Sequence, residues 1–183
     1  MAPDNPLWHR LAAHEIGPAD APLSFPARLA RENRWSEDYA LRVIEEYRRF
    51  VFLACTSGHE CTPSDQVDQA WHLHLTYSRD YWQRFCPEVL ERELHHGPTT
   101  GTSHDKARYH EQYAQTIKSY EKVFGPAPGD IWSPANERFG IHIRSFRVRP
   151  DEVIWVKGTA IKLAFGLLAL VLMGAGFLLG RAL

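Results

Sequence analysis

The amino-acid sequence predicts an all-α protein: a bundle of about four helices, followed by a single-pass transmembrane helix near the C-terminus. Serine and threonine N-cap signals precede runs of apolar residues spaced three and four apart, which is the periodicity of a half-buried helix. Glycine and proline lie between these runs, and a long uncharged segment follows them. A chain of 183 residues can bury one globular core with an appendage, and it is too short for two full domains.

Composition excludes several classes of function. The 21 basic and 22 acidic residues nearly balance, so no basic field is present and no nucleic-acid partner is expected. The N-terminus has acid and proline where a signal peptide would have basic residues and an apolar run, so nothing predicts secretion. Three cysteines without framework spacing favour reduced thiols in the cytoplasm.

The first two helices of the predicted globular domain, residues 24–125, each begin at a serine. Residues 1–23 are rich in Pro, Ala and Asp and are predicted to be a loose lead-in, with one or two turns of docking helix at the apolar patch Leu7, Trp8, Leu11 and Ala12 as the alternative. Ser24 starts a short helix that runs to about Asn33, and Ser36 starts a longer one. The apolar face of the longer helix consists of Ala40, Val43, Ile44, Tyr47, Phe50, Val51 and Ala54, which predicts a core helix.

The third helix is the centre of the chain. Thr62 is predicted to be its N-cap and Pro63 its first residue, and the pattern continues without a breaker to Pro87, so the helix should end near Cys86. At about 100° per residue, His74 lies on the apolar face with Val67, while His72 lies on the polar face. The pattern therefore predicts that the two histidines point apart.

The helical spacing decides which of these side chains can act together. His72 and His74 cannot share one ion on a regular helix, whereas Asp68 and His72 lie one turn apart. This pair is interpreted as part of a metal or ligand site, as an ordinary hydrogen bond, or as a general base with its orienting acid. His74 is interpreted as a buried histidine of the core.

A second histidine pair, His95 and His96, precedes a Gly-Pro stop and is predicted to lie on a loop. If this loop folds back over the third helix, ligands from two segments meet. The sequence therefore predicts a divalent-metal site, zinc-like, formed by Asp68, His72, His95 and His96, with His104 as a further candidate. The alternative is a loop whose imidazoles cap helix carbonyls.

An alternative zinc cluster surrounds the connection after the second helix, the one that starts at Ser36. Cys55, His59 and Cys61 lie around a glycine turn, and Cys86 or a histidine of the His95-His96 pair could supply a fourth ligand. This spacing matches no common zinc module, so ordinary polar residues around a turn are the competing interpretation.

The last helix of the domain is predicted from Ser103 to a stop at Gly125. Its aromatic stripe favours packing against a partner helix over an aromatic cage. The stripe consists of Tyr109, Tyr113, Ile117, Tyr120 and Phe124.

Several of these residues together resemble a known family, the helical domain at the N-terminus of plant glycine-rich-domain proteins and in bacterial relatives. The matching motifs are Val67-Asp68-x-x-Trp71-His72-x-His74, Tyr81, Cys86 and His95-His96-x-Pro98. The resemblance covers about residues 25–135 and implies an all-helical domain with a shared constellation of residues, without implying a substrate. Glycine-rich downstream segments are absent from this chain.

A Pro- and Arg-rich linker, residues 126–157, is predicted to lead to a transmembrane helix at residues 158–181. No charge occurs from Leu163 to Gly180, which is close to the length that spans a bilayer. Basic residues concentrate before this segment, so the positive-inside rule predicts a cytoplasmic N-terminal domain. Gly176 and Gly180 form a small-xxx-small pair, which favours a homodimer or reflects the tolerance of membrane helices for glycine.

Three functions are compatible with these patterns. The favoured one is a membrane-anchored cytoplasmic module that binds or assembles a protein partner at the bilayer. The alternatives are a metal-binding protein and a metal-dependent enzyme at the same His/Asp site. The enzyme is disfavoured because no open-site motif such as His-Glu-x-x-His occurs.

Overall fold

The computed structural model describes residues 4–18, 20–97 and 103–139, and these residues confirm the all-α prediction. They contain seven α-helices, one π-helix and no strand. The elements in chain order are α1 (Pro6–Ala13), α2 (Phe25–Asn33), α3 (Glu37–Thr56), α4 (Asp65–Thr76), α5 (Ser78–Asp80), the π-helix (Tyr81–Leu90), α6 (Ser103–Phe124) and α7 (Ala135–Arg138).

Helix α3 is the centre of the core, and α1, α2, α4 and α6 all contact it. Its predicted N-cap is confirmed, because Ser36 Oγ accepts a hydrogen bond from the Tyr39 amide at 3.2 Å. Two acids in the first turn, Glu37 and Asp38, face the positive end of the helix dipole. Local signals were therefore sufficient to place this helix.

The packed unit extends beyond the predicted range of 24–125 at both ends. Leu11 of α1 is buried, and Arg10 Nε donates a hydrogen bond to the Val89 carbonyl at 2.7 Å. After α6, Ile131 and Trp132 are buried in the same core. The short helix α1 and the Pro-rich segment after α6 thus both supply core side chains, because tertiary contacts hold them there.

The predicted helix from residue 62 to 86 is divided into three elements, and α4 begins later than predicted. Ser64 is its N-cap, since Ser64 Oγ accepts from the Val67 amide at 3.2 Å. Thr62 instead contacts α6, where its amide donates to Thr116 Oγ1 at 3.0 Å. The Thr62 hydroxyl, which the local pattern assigned to the cap, donates to Gln112 Oε1 of the same helix at 3.3 Å.

Helix α4 stops at Thr76 because the backbone of Tyr77 leaves the helical region, with φ −82° and ψ 54°. The Tyr77 ring lies directly against Gly17, which has a positive φ of 81°. A Cβ atom on Gly17 would approach Tyr77 Cε1 to 2.7 Å, so only glycine fits here. Close packing between distant segments therefore accompanies the break in the helix.

The predicted helix end near Cys86 was wrong, since a π-helix runs through Pro87 to Leu90. In an α-helix a proline ring collides with the carbonyl four residues back, whereas a π-helix is wound more widely and pairs residues five apart. The π-helix ends at Leu90, and the next residue, Glu91, has a left-handed φ of 57°. It buries Val89 and Leu90 and leads directly into residues 91–97.

Within the ranges that the structure describes, none of the helices combines the length and the apolar character needed to cross a membrane. The predicted span at Leu163–Gly180 lies outside those ranges, as does most of the linker at 126–157.

Candidate metal centre

Asp68 and His72 lie one turn apart on the exposed side of α4. The distance from His72 Nε2 to Asp68 Oδ2 is 3.7 Å, and 53% of the His72 side chain is exposed. His74, two residues further, is completely buried. The two histidines therefore point to different environments, in agreement with the helical periodicity.

The segment after the π-helix brings His96 to this pair. His96 Nε2 lies 2.9 Å from Asp68 Oδ1 and 3.0 Å from His72 Nε2. The three candidate ligand atoms all lie within 4.8 Å of one another. Two segments separated by more than 20 residues thus converge on one point.

Buried hydrogen bonds hold the His96 segment in place. The Tyr81 hydroxyl donates to the Leu94 carbonyl at 2.5 Å and accepts from Trp71 Nε1 at 2.9 Å. The His96 ring also packs edge-on against Trp71, with 4.6 Å between ring centroids. Because Trp71 precedes His72 on α4, these contacts position His96 relative to its neighbours before any ion is present.

Hydrogen bonding alone satisfies this cluster poorly. If His96 Nε2 donates its only hydrogen to Asp68, no second hydrogen is available for the contact between His96 Nε2 and His72 Nε2. If His72 donates to His96 instead, lone pairs of His96 and Asp68 face each other at 2.9 Å. No arrangement of protons gives each close contact its own hydrogen bond, whereas one cation accepts three lone pairs at once.

The spacing of the cluster suits a small divalent ion. Ligands about 2.0–2.1 Å from a tetrahedral zinc ion lie about 3.3 Å apart, and the two shorter contacts here are 2.9 and 3.0 Å. Two imidazoles and a carboxylate are ligands that zinc and similar transition metals accept. The exposure of His72 leaves the remaining coordination positions open to solvent.

His95 does not join these residues, although the sequence grouped it with them. Its Nε2 lies 2.8 Å from Glu93 Oε2, and its ring lies beside Trp82 with 5.3 Å between centroids. The two adjacent side chains contact different partners, and only His96 faces α4. His104 and Pro98 are outside the described side chains.

The four residues of the alternative zinc cluster do not converge. No three of their ligand atoms lie within 4.8 Å of one another, although all four side chains are described. His59 Nε2 contacts Ser119 Oγ at 2.8 Å, and Cys61 Sγ is 3.9 Å from His59 Nδ1. Burial raises the pKa of all three thiols, Cys55, Cys61 and Cys86.

A second cluster, made of His14, His74 and Asp80, was missed by sequence reasoning. His74 Nε2 lies 2.9 Å and His14 Nε2 3.0 Å from Asp80 Oδ2. No local signal could have found it. His14 lies 66 residues before Asp80, and residues six apart on one continuous α-helix, such as 74 and 80, would point about 120° apart and would not share a face.

In this second cluster, a neutral His74 imidazole lies beside an ionised Asp80 carboxylate. Burial lowers the pKa of His74, and its hydrogen bond to Asp80 offsets part of the shift. Burial also disfavours the charged form of Asp80, but hydrogen bonds from His74 and His14 outweigh it and lower the pKa of that carboxyl. Near neutral pH, His74 is therefore neutral and Asp80 is ionised.

These features define an all-helical protein with histidine and aspartate side chains converging from separate segments. The chain belongs to the UCP032817-like family, whose model matches residues 22–118, more than half of its length. The match includes Asp68, His72 and His96 but begins after His14. No curated protein and no solved structure matches the chain.

Proposed function

We propose that this protein binds a divalent metal ion of the zinc class through Asp68, His72 and His96. The observation that carries the proposal is the convergence of three ligand atoms from α4 and the segment after the π-helix. Asp68 supplies a negative charge, and each histidine supplies the lone pair of a neutral imidazole. A solvent molecule or a group of a bound partner completes the coordination.

A metal-dependent enzyme is the second candidate at the same site. Catalytic zinc ions keep three protein ligands and one open position, whereas structural zinc ions are enclosed by four. Three converging ligands with a half-exposed His72 favour the open type. The metal would act there as a Lewis acid or would activate a bound water molecule.

The metal content of the purified full-length chain tests this proposal. We expect His72→Ala and His96→Ala each to lower the zinc affinity of this site at least about 10-fold, because two protein ligands hold zinc weakly. Isothermal titration with Zn²⁺ and elemental analysis measure the change. His95→Ala is the matched control, since His95 lies next to His96 but pairs with Glu93.

Two outcomes would contradict the assignment. One is zinc content and affinity unchanged in both the His72 and His96 variants while circular dichroism shows that they are folded. The other is loss of the ion in Cys61→Ser with both histidine variants unaffected, which would move the site to the connection after α3.

We further propose that the metal-binding domain is a module tethered to the cytoplasmic face of a membrane, where it binds or assembles a protein partner. The support is the uncharged run from Leu163 to Gly180 and the basic residues that precede it. Trp82, a large hydrophobic side chain that is 41% exposed, offers an apolar contact beside His95. Pairing of two copies through Gly176 and Gly180 belongs to the same proposal.

A topology experiment tests the tether. A reporter fused after Leu183 is expected outside the cytoplasm, because the basic residues before the span are retained inside. The same reporter fused before Met1 is the control and should stay in the cytoplasm. If the reporter were in the cytoplasm in both fusions, the proposed orientation would be wrong. If alkaline carbonate extracted the chain from the membrane, the proposed transmembrane anchor would be wrong.

Kinship with the glycine-rich-domain proteins is also a proposal. It rests on the motif around Trp71, His72 and His74 and on the His95-His96 pair. Since Trp71 and His96 contact each other and His74 lies in the core, the motif combines a packing residue with candidate ligands.

A further inference from the structure

The second cluster lies in the interior and uses none of the residues proposed to bind zinc. His14, His74 and Asp80 are all buried, and His74 has no exposed surface. Each residue comes from a different element: His14 follows α1, His74 is on α4 and Asp80 ends α5. The three ligand atoms, two imidazole Nε2 atoms and Asp80 Oδ2, lie within 4.8 Å of one another.

The surroundings of this cluster resemble the outer shell of a metal site. The Nδ1 atom of His74, which faces away from Asp80, lies 3.0 Å from the Tyr47 hydroxyl. The other oxygen of Asp80 accepts a hydrogen bond from Arg84 at 2.9 Å. Metal-binding histidines almost always have a partner on their second nitrogen, and metal-binding carboxylates are likewise hydrogen-bonded.

Aromatic rings cover the imidazole side of the cluster. The Phe85 ring lies 4.6 Å from the His74 ring and 5.1 Å from the His14 ring, and Phe25 and Tyr81 also contact His74. Burial among packed rings holds ligands in fixed positions and strengthens their attraction to a cation.

We infer that His14, His74 and Asp80 form a second, buried site for a divalent transition metal. Two histidines and one carboxylate are the ligand set used for Fe²⁺, and zinc and manganese also accept it. On binding, the ion takes the Nε2 lone pairs, and each neutral imidazole keeps its one hydrogen on Nδ1. For His74, that hydrogen then points at the Tyr47 oxygen, which is able to accept it.

The position of the site indicates a structural function for the ion. It would join the end of α1 to the point where α4 gives way to α5, beside Tyr77, whose ring lies against Gly17. In the metal-free state, both imidazoles donate to one oxygen of Asp80 and hold the same elements together more weakly. The ion therefore stabilises the attachment of α1 to the core.

The test uses the full-length chain carrying His72→Ala and His96→Ala, which removes the first site. After exposure to Fe²⁺, Zn²⁺ or Co²⁺ alone and removal of free ion, this variant is expected to retain about one equivalent of one of these metals. Adding His14→Ala should abolish the retained metal, whereas His9→Ala, an exposed histidine of α1, should leave it unchanged. Failure of the zinc proposal would appear separately, as unchanged zinc binding when His72 and His96 are replaced.

Two further variants keep the inference falsifiable if His14→Ala unfolds the protein. Asp80→Asn preserves the size of the side chain and should also abolish the retained metal. Tyr47→Phe keeps the ring in place and should weaken binding by about 10- to 100-fold, as loss of an outer-shell partner does. A folded His72/His96 variant that retains none of the three metals, or metal retention that Asp80→Asn does not change, would reduce the cluster to a hydrogen-bonded core network.

Discussion

Replacement of Tyr113 by alanine is expected to lower the free energy of unfolding by about 3 to 5 kcal/mol, the cost of a large-to-small change in a core. Tyr113 is completely buried on α6, and its ring packs near Trp132 and Phe139. Its hydroxyl donates to the Ser133 carbonyl at 2.7 Å. Burial raises the pKa of this hydroxyl to about 12, so it remains a donor at any working pH.

Urea unfolding monitored by circular dichroism measures this change. Tyr113→Phe is the matched control: it keeps the ring and removes only one hydrogen bond, so a loss of about 1 kcal/mol is expected. If the alanine variant lost less than about 1 kcal/mol, the aromatic stripe of α6 would be a binding surface rather than part of the core.

Replacement of Trp132 by alanine should have a comparable effect, about 3 to 5 kcal/mol. Only 3% of this side chain is exposed, and its Nε1 donates to Glu46 Oε2 at 2.8 Å. Glu46 is itself buried, and its other oxygen accepts from Arg49 at 2.8 Å. Loss of the indole therefore removes apolar contacts and also leaves a buried carboxylate with one partner fewer.

Two variants separate these contributions. Trp132→Phe keeps most of the apolar area and reports chiefly the lost hydrogen bond to Glu46. Trp82→Ala removes a tryptophan that is 41% exposed and should cost much less. If Trp132→Ala were as mild as Trp82→Ala, the segment after α6 would lie outside the cooperatively folded unit, and the boundary predicted near residue 125 would stand.

Sequence patterns predicted well those features that depend on neighbours along the chain. The caps at Ser24 and Ser36 and the apolar face of α3 follow from interactions within about four residues. The pattern failed at Pro87, where an unusual helix type accommodates a residue that normally ends a helix. It also failed at Thr62, because the hydroxyl of that residue donates a hydrogen bond to Gln112 of the distant helix α6.

By itself, the sequence determined the all-α class, the pairing of Asp68 with His72 and the separation of His72 from His74, because the α-helical repeat decides which side chains share a face. Only the tertiary structure decided that His96, and not His95, meets this pair. It alone brought His14 and Asp80 to His74, since that contact needs the break at Tyr77 and the docking of α1. Both convergences depend on chain reversals and packing over tens of residues, which no local pattern encodes.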